Sequence, residues 1–466
     1  MHSIRSFIER LEADGELIRI SKEVEPKYEM PAIISQLEKQ RHKAYIFENV
    51  KDSDFPLVGG LYLDAGRIGL ALGIEDPVEQ HRELQPVFAK AMSAPVPHVE
   101  IADSSTAPVK EVVLTGEDAS LLNLPVPTFF EFDSGPFITG AVGISRNPET
   151  GKLNVGFYRT LVLGPDRMII NASSMSDLRK IYAAYEERGE EMSIAMCLGV
   201  DPALTFCASG KHPPGVSELD IAGALKGEAI EMVPAETSDL LVPANAEIVF
   251  EAKVDFSVKM ENTLGEFADQ YGPETAPAST LTAITHRKDA MYYSIMAGRH
   301  PEHNSIGNIS VYGILHMLEA GLRKQFDNIV DINVACEPKL GTMLHIFISI
   351  DKKSDDEPEK LIRAAFAADG GLFPVSVITK RIVIVDQDID VFNLEDVEWA
   401  VWSRLSTEKK LVIIPEQFSW ELERCTKEGQ KSVRVGIDAT KDLDILEELT
   451  RPIIPGAADY KLEDYL

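Results

Sequence analysis

The first 110 residues alternate between helix-like and strand-like hydrophobic spacing. The chain opens with an amphipathic helix that presents apolar residues on one face, and the strand-like run ELIRISKEV follows it. Such alternation predicts an α/β layer. The further predicted elements are a helix at Met30–Gln40, strands at Ala44–Phe47 and Leu57–Val58, and a helix near Ala65–Leu72.

Between about Val112 and Arg287 the pattern changes to β-branched runs bounded by Gly, Pro and Asn. LNLPVPTFF, RMIINAS, AEIVFEAKVDFSV and STLTAITHR all have strand composition, and Arg146–Gly151 is typical of a hairpin turn. Two helices are predicted within this region, at Met175–Arg188 and Glu218–Leu225. The pattern favours a β-barrel-like central domain over a parallel sheet.

After Gly307 the α/β rhythm returns, which predicts a third domain of α/β type. The expected boundaries are residues 1–110, 111–308 and 309–440, followed by a tail at 441–466 that is loosely held or reaches a partner subunit. The predicted elements are helices at Tyr312–Lys324, Pro358–Ala368 and Leu394–Leu405, and strands at INVAC, MLHIFISI, RIVIVDQDID, VIIPE and SVRVGID.

The composition narrows the possible partners. A net charge of −29, from 75 acidic and 46 basic residues, argues against binding to nucleic acid or to an anionic membrane. It also means that a carboxylate substrate would need a specific buried arginine. The four cysteines form no CxxC pair, no signal peptide is recognisable and no apolar run approaches a membrane span, so we expect a cytoplasmic protein with reduced thiols.

Arg159 is the first candidate for chemistry, because it lies between Tyr158 and a β-branched run. A buried guanidinium in such a context requires a carboxylate partner. Glu261 and Glu266 are candidate partners, but a regular strand would point them to opposite faces, so they converge only around a turn or bulge. The alternatives are a structural ion pair for the arginine and a solvated acidic loop for the glutamates.

Two further groups of residues are of interest. Glu218 opens a helix after the N-cap Ser217, where it would either suit the helix dipole or act with Asn154 as an oxygen ligand of a hard divalent ion. Gly298–Asn304 contains Arg299, His300 and His303 and is predicted to be a loop, either at the surface or in contact with substrate. No dinucleotide, Walker or GxSxG motif is present.

Taken in order, these segments resemble the UbiD family of decarboxylases, which use prenylated FMN. The resemblance runs over nearly the whole chain and includes LNVGFYR, GVSELDIAGALKGEAIEMV, VPANAEIVFEA, ENTLGEFADQYG and KRIVIVDQDIDVFNLEDVEWAVWSR. It implies a central split β-barrel that binds the flavin, flanked by an N-terminal α/β domain and by a C-terminal α/β domain that forms homodimers or higher homo-oligomers. It also implies a flavin prenyltransferase as the supplier of the cofactor.

The resemblance assigns roles to individual residues. Arg159, Glu261 and Glu266 match the family's catalytic set, in which Arg159 binds the substrate carboxylate, Glu266 donates the proton and Glu261 orients Arg159. Tyr158 and Lys380 are expected at the cofactor, with Lys380 near its phosphate.

The resemblance further implies that a divalent metal, usually Mn²⁺, and a nearby K⁺ bind the cofactor phosphate. Asn154 and Glu218 match two of the metal ligands, and both are expected to contact the cofactor through the metal. The family's histidine ligand is missing, so Asn171 or Asp177 would replace it or the metal would bind differently.

The implied function is a reversible, non-oxidative decarboxylation of an α,β-unsaturated, aromatic or heteroaromatic acid, in which the cofactor accepts the electrons of the broken bond. Arg299, His300 and His303 would bind a second polar group, as in a diacid, a phenolic acid or an anhydromevalonate phosphate. Two alternatives stay open: a flavin oxidoreductase that uses ordinary FMN, and a non-catalytic subunit of a carboxylase complex.

Overall fold

A computed structural model of the chain describes residues 3–75, 80–174, 176–210, 212, 216–266, 268–309, 312–334, 344–368, 375–377, 379–418, 423, 426, 431–444, 451–452 and 454–455. Two of the four cysteines and most of the C-terminal tail lie outside these residues. Cys197 and Cys207 are buried and free, and burial raises the pKa of both thiols.

The N-terminal part is an α/β layer, as predicted. The apolar residues of its first helix are buried, and a capping box between Ser3 and Ser6 begins that helix. Its helices and strands are α1 (Ile4–Ala13), β1 (Leu17–Ile20), α2 (Glu29–Gln36, followed by a π-helical turn at Leu37–Arg41), β2 (Ala44–Phe47), β3 (Leu57–Gly59), α3 (Ala65–Ala71), α4 (Gln80–Ser93) and β4 (Val99–Glu100).

The central part consists mainly of strands. The predicted strand LNLPVPTFF is wrong, because that segment contains only a short 3-10 turn at Leu121–Asn123 and one isolated bridge. Its strands are β5 (Val112–Thr115), β6 (Phe137–Ile138), β7 (Val142–Arg146), β8 (Leu153–Phe157), β9 (Thr160–Val162), β10 (Arg167–Ile170), β11 (Met192–Leu198), β12 (Glu231–Pro234), β13 (Leu241–Pro243), β14 (Ile248–Gly265), β15 (Tyr271–His286) and β16 (Tyr292–Tyr293).

Four helices accompany these strands. The prediction of a loop at Gly298–Asn304 is wrong in part, because a helix begins at Pro301. The helices are α5 (Asp177–Arg188), α6 (Pro202–Ser209), α7 (Glu218–Lys226) and α8 (Pro301–Ile309).

The central sheet is antiparallel and curls round on itself. Its strands follow the order β6-β9-β10-β15-β14-β11-β7-β8, with β5 paired to β15 off this path. The last strand of the path, β8, is joined to β9, the second strand, by only Tyr158 and Arg159. Because two residues cannot span an open sheet of this width, the two edges must approach each other. The barrel-like central fold is thereby confirmed, with its seam at Tyr158 and Arg159.

The C-terminal part is a five-stranded sheet in the order β17-β18-β19-β21-β20, with α10 and α11 on opposite faces. The central pairings are parallel and the two outer pairings antiparallel. Its elements are α9 (Tyr312–Leu322), β17 (Ile329–Val334), β18 (Leu344–Ile350), α10 (Glu357–Ala367), β19 (Thr379–Asp386), α11 (Leu394–Arg404), β20 (Leu411–Phe418) and β21 (Lys431–Ala439).

Candidate active site

Arg159 lies at the seam of the curled sheet, where the local sequence leaves space for its neighbour Tyr158. Gly143 and Gly156 are paired across β7 and β8, and a Cβ on either residue would come within 2.5 Å of the Tyr158 side chain. The Tyr158 ring is therefore packed flat over two glycines and is buried. This packing fixes the backbone from which the Arg159 side chain extends.

The Arg159 guanidinium is bound on both terminal nitrogens. Its Nη1 is ion-paired with Glu266, and its Nη2 lies 2.9 Å from Oε2 of Glu274. Nη2 also donates to the carbonyl of Gly272 at 3.1 Å. The structure thus brings together two of the residues in the expected set, Arg159 and Glu266, and adds Glu274.

A two-stranded arm carries both glutamates to Arg159. We define the arm as Lys259–Gly265 of β14 and Tyr271–Pro277 of β15, which continue their pairing beyond a bulge at Asp255/Lys259. The turn after Gly265 begins with Glu266, whose backbone N–H donates to the carbonyl of Gln270 at 2.8 Å.

Asn262 ties the arm to the seam. Its side-chain amide exchanges two hydrogen bonds with that of Asn171, at 2.8 and 2.9 Å, and both residues are buried. The backbone N–H of Asn171 donates to the carbonyl of Arg159 at 3.0 Å. Since Asn262 is directly opposite Glu274 in the strand pairing, the amide pair and the glutamate hold Arg159 from the same face of the arm.

Glu261 is exposed and points away from Arg159. The expected convergence of Glu261 with Glu266 needs a turn or bulge between them, but the pairing of the arm is regular from Lys259 to Gly265 and the turn begins only at Glu266. Alternation along a regular strand therefore sends Glu261 to the outer face and Asn262 to the inner face. The sequence reasoning missed Glu274 because its position on the inner face depends on the hairpin register.

Asp133 holds the segment Phe129–Ser134 against the arm. Its Oδ2 accepts from the backbone N–H groups of Phe129 and Phe130, and its Oδ1 accepts from that of Gly265 at 3.0 Å. Burial raises the pKa of Asp133, while these amides and the nearby charge of Arg159 lower it. Asp133 thereby fixes the residue that immediately precedes Glu266.

The histidines of the predicted substrate-contacting group are neutral at pH 7, with His300 buried and His303 half-buried. Burial and the nearby positive charge of Arg159 together lower the pKa of His303 to about 4. Burial likewise lowers the pKa of His300 to about 3, and its Nε2 lies 3.0 Å from Oγ of Ser35. Only His303 is thus shown to be near Arg159.

Arg299, the third member of that group, is partly exposed. Its Nε is ion-paired with Asp269 at 3.2 Å, and the backbone N–H of Asp269 donates to the carbonyl of Glu266. Arg299 therefore lies beside the turn that carries Glu266.

Glu302 anchors the start of α8 to the N-terminal layer, and sequence reasoning did not identify this role. Its carboxylate accepts from the backbone N–H groups of Gly60, Leu61 and Tyr62 at 2.8 to 3.1 Å and from the hydroxyl of Tyr293. It is fully buried, and its charge raises the pKa of a second buried carboxyl, Glu38. A glutamate in a predicted loop gives no signal that distinguishes it from the surface acids around it.

Of the expected metal ligands, Asn154 contacts the hydroxyl of Tyr158 and Glu218 lies near enough to influence its pKa. Nδ2 of Asn154 donates to that hydroxyl at 2.9 Å. Burial raises the pKa of Tyr158, and the nearby charges of Glu218 and Asp177 raise it further. These side chains supply amide and carboxylate oxygens, which suit a hard divalent ion. Among the described residues no cluster of three or more His, Cys, Asp or Glu side chains has the geometry of a metal site.

Of the two substitutes considered for the missing histidine, Asp177 is better placed than Asn171. The Asn171 amide is already paired with Asn262, whereas the Asp177 carboxylate is half-exposed at the start of α5 and pairs only with Lys180 among its described salt bridges. Ser217 occupies the N-cap of α7 as predicted but makes no side-chain capping bond.

Lys380 lies in the C-terminal sheet. Its Nζ contacts the carboxylate of Glu423 and the hydroxyl of Ser432 at 2.7 Å, and Glu423 is also ion-paired with the buried Arg434. Within the described part of the chain, the hydrogen bonds of Lys380 therefore go to residues of the C-terminal part and not to the seam.

Models of three domains of 3-octaprenyl-4-hydroxybenzoate carboxy-lyase match the chain in order: the N-terminal domain at residues 8–86, the Rift-related domain at 100–300 and the C-terminal domain at 311–439. The chain is 34% identical to the UbiD-class enzyme HmfF from Pelotomaculum thermopropionicum, solved in complex with FMN, with full coverage of both chains and a TM-score of 0.89.

Two further solved structures are similar over the whole chain. An evolved dimeric form of HmfF, in complex with prFMN, is 33% identical with full coverage of both chains and a TM-score of 0.84. The vanillic acid decarboxylase of Sedimentibacter hydroxybenzoicus in its open form is 25% identical, with coverage of 100% of this chain and 98% of the other and a TM-score of 0.83. In the described residues, no helix is both long and apolar enough to cross a membrane.

Proposed function

Since the chain belongs to the UbiD family of carboxy-lyases, we propose that it decarboxylates an aromatic or α,β-unsaturated acid with the help of prenylated FMN. The observation that carries this proposal is the Arg159–Glu266 ion pair at the seam of the curled sheet, where both side chains are largely buried. A buried cation beside an acid is what the binding and protonation of a carboxylate substrate require.

The two residues have complementary tasks. Arg159 binds the substrate carboxylate through a charge-assisted hydrogen bond from its guanidinium. When the C–C bond breaks and CO2 leaves, Glu266 donates its proton to the carbon that lost the carboxyl group. The Glu266 carboxylate that remains is stabilised by its ion pair with Arg159.

The flavin phosphate would bind through a divalent ion held by Asn154, Glu218 and Asp177. These residues fit such an ion because all three supply hard oxygen donors around the Tyr158 hydroxyl. The cofactor, when bound, accepts the electrons released with CO2, which an sp² carbon alone cannot hold. Lys380 would reach the phosphate only by leaving Glu423.

A substrate with a second polar group is supported by the neighbourhood of Arg159. His303 is neutral and close to Arg159, so it can form a hydrogen bond without adding positive charge, while Arg299 lies at the outer side of the Glu266 turn. A heteroaromatic diacid, a phenolic acid and a phosphorylated unsaturated acid are the three classes to compare. The solved relatives include a decarboxylase of vanillic acid, which is a phenolic acid.

The test is to co-express the protein with a flavin prenyltransferase, to identify the bound flavin by mass spectrometry and to measure CO2 release from the three classes. We expect prenylated FMN and release from at least one class. Glu266→Gln should keep the flavin and abolish release, whereas Glu12→Gln, which changes an exposed glutamate paired with Arg19, should match the wild type.

Two outcomes would contradict the proposal. NAD(P)H turnover without CO2 release by protein that binds ordinary FMN would favour the oxidoreductase alternative. Activity that appears only in a complex, and survives Arg159→Ala there, would favour a non-catalytic subunit. Carboxylation under high CO2 pressure is expected as the reverse reaction, and the mass of the purified protein in solution would test the expected homo-oligomer.

A further inference from the structure

Arg159 is bound by two carboxylates that differ in how they are held. Glu274 lies within β15, opposite Asn262, and its backbone is fixed by strand pairing on the arm. Glu266 follows the last residue of β14 and begins the turn. The side chains of Arg159 and Glu274 are 18% and 17% exposed, so their 2.9 Å contact is shielded from water.

The fixed position of Glu274 determines which nitrogen of Arg159 faces Glu266 and the substrate. Nη2 is bound by Glu274 and by the carbonyl of Gly272, while Nη1 faces Glu266. An arginine side chain has several rotatable bonds, and two partners on one nitrogen remove most of that freedom. The nitrogen that faces Glu266 is then presented in one direction.

We infer that Glu274 is the positioning residue of this site: it holds Nη2 of Arg159 so that Nη1 meets the substrate carboxylate, and its negative charge lets Glu266 keep a proton at higher pH. The resemblance assigns the first of these tasks to Glu261, which is exposed on the opposite face of the arm. The inference rests on the proposed function, because it concerns the same proton transfer.

The electrostatic part follows from the charges around Glu266. Arg159 favours the ionised carboxylate, and a second negative charge on the same guanidinium opposes this effect. Asp133 also lies near Arg159, on the segment packed against the arm. His303 of α8 is neutral at pH 7, and Asp269 and Arg299 at the turn form an ion pair.

Removal of the Glu274 charge therefore has a predictable sign. Glu266 becomes the main counter-ion of Arg159 and loses its proton more readily. Because the reaction needs a protonated donor, the alkaline limb of the kcat–pH profile should move to lower pH, by about one unit.

The experiment compares Glu274→Gln with the wild type, loaded with the same flavin, and uses Glu12→Gln, at an exposed glutamate paired with Arg19, as the matched control. We expect kcat to fall about 10- to 100-fold through misplacement of the guanidinium. The alkaline limb of kcat should also shift downward. A crystal structure of the cofactor-free variant should show Arg159 displaced from Gly272, while its affinity for FMN, measured by fluorescence quenching, should be unchanged. Glu12→Gln should show none of these changes.

Each result decides one point. Wild-type protein that releases no CO2 would refute the proposed function, and the position of Arg159 in the variant crystal would still test the structural part of the inference. Active wild type with an unchanged kcat and pH profile in Glu274→Gln would overturn the inference alone. A loss of kcat in Glu261→Gln, with none in Glu274→Gln, would likewise overturn it and return the role to Glu261.

Discussion

Glu38 and Glu302 form a buried carboxyl pair whose proton should make the stability of the protein depend on pH. Both side chains are almost completely buried, with exposures of 1% and 0%. Burial and the charge of Glu302 raise the pKa of Glu38 well above its usual range. Four donors are aimed at Glu302, whereas Glu38 accepts from the hydroxyl of Tyr45 and from the backbone N–H of Glu302, so the ionised form is favoured on Glu302 and the proton on Glu38.

The sign and size of the effect follow from linkage. A carboxyl group whose pKa is higher in the folded state stabilises the fold fully below the unfolded value of about 4.3, and this contribution is lost as the pH rises through the folded value. Where the folded pair holds one proton more than the unfolded chain, the free energy of unfolding falls by about 1.4 kcal/mol per pH unit. Glu38→Gln removes the titrating proton and keeps a neutral side chain of the same size.

Urea unfolding of the wild type and of Glu38→Gln between pH 5.5 and 8, followed by far-UV circular dichroism, measures this difference. The variant should gain stability relative to the wild type as the pH rises, by up to about 2.7 kcal/mol between pH 6 and 8. Glu12→Gln is the control: its exposed carboxylate is paired with Arg19, which lowers its pKa, so its contribution is constant above pH 6. If the free energies of unfolding of the wild type and of Glu38→Gln changed with pH in parallel, the pair would not hold the extra proton that we infer.

Three further predictions concern the arm and its contacts. Asp133→Asn replaces one acceptor oxygen by an amide donor that faces a backbone N–H; we expect CO2 release to slow about tenfold at unchanged flavin content, and an unaltered rate would contradict this role. In Gly265→Ala the new Cβ would lie 2.5 Å from Cδ2 of Phe130, so the end of the arm at Gly265 must move and kcat should fall. A crystal structure of the variant in which Gly265 and Glu266 have not moved, together with normal turnover, would disprove this prediction. Asn262→Ala removes both bonds to the Asn171 amide and should lower the free energy of unfolding by about 2 kcal/mol in urea, and a change below about 0.5 kcal/mol would be inconsistent with the pair.

Hydrophobic periodicity was sufficient to predict the α/β–β–α/β order but not every element. Seven of the eight residues of α6 are buried, so that helix lacks the polar face that reveals a helical period. Pro86 lies inside α4, and a proline within a segment normally predicts the end of a helix because it cannot donate a backbone hydrogen bond. LNLPVPTFF has the composition of a strand but follows an irregular path, since its prolines cannot donate to a ladder.

Residue type alone predicts the pairing of Arg159 with an acid such as Glu266, whereas the placement of Glu261 depends on the strand register. Arg159 and Glu266 were identified because a charge within an apolar, glycine-marked context needs a partner. Whether Glu261 or Glu274 joins them is decided by a hairpin that pairs Asn262 with Glu274 across twelve positions. A regular strand puts Glu261 and Glu266 on opposite faces, and the alternative that assumed a bulge between them is not what the arm adopts.

The neighbours of Arg159 come from separate parts of the chain and are held by backbone hydrogen bonds to carboxylates. Asp133 connects Phe129–Ser134 to Gly265, and Glu302 connects the start of α8 to β3 and the residues after it. A buried carboxylate that accepts hydrogen bonds from two or three backbone N–H groups restricts the position of the connected segments more than an exposed ion pair does, because both partners are fixed. Each anchor lies next to a residue of the site, Glu266 in one case and His303 in the other. Loss of one anchor should therefore shift a site residue by a fraction of an ångström while the rest of the fold persists, so catalytic rate should be more sensitive than melting temperature to conservative substitutions at Asp133 and Glu302.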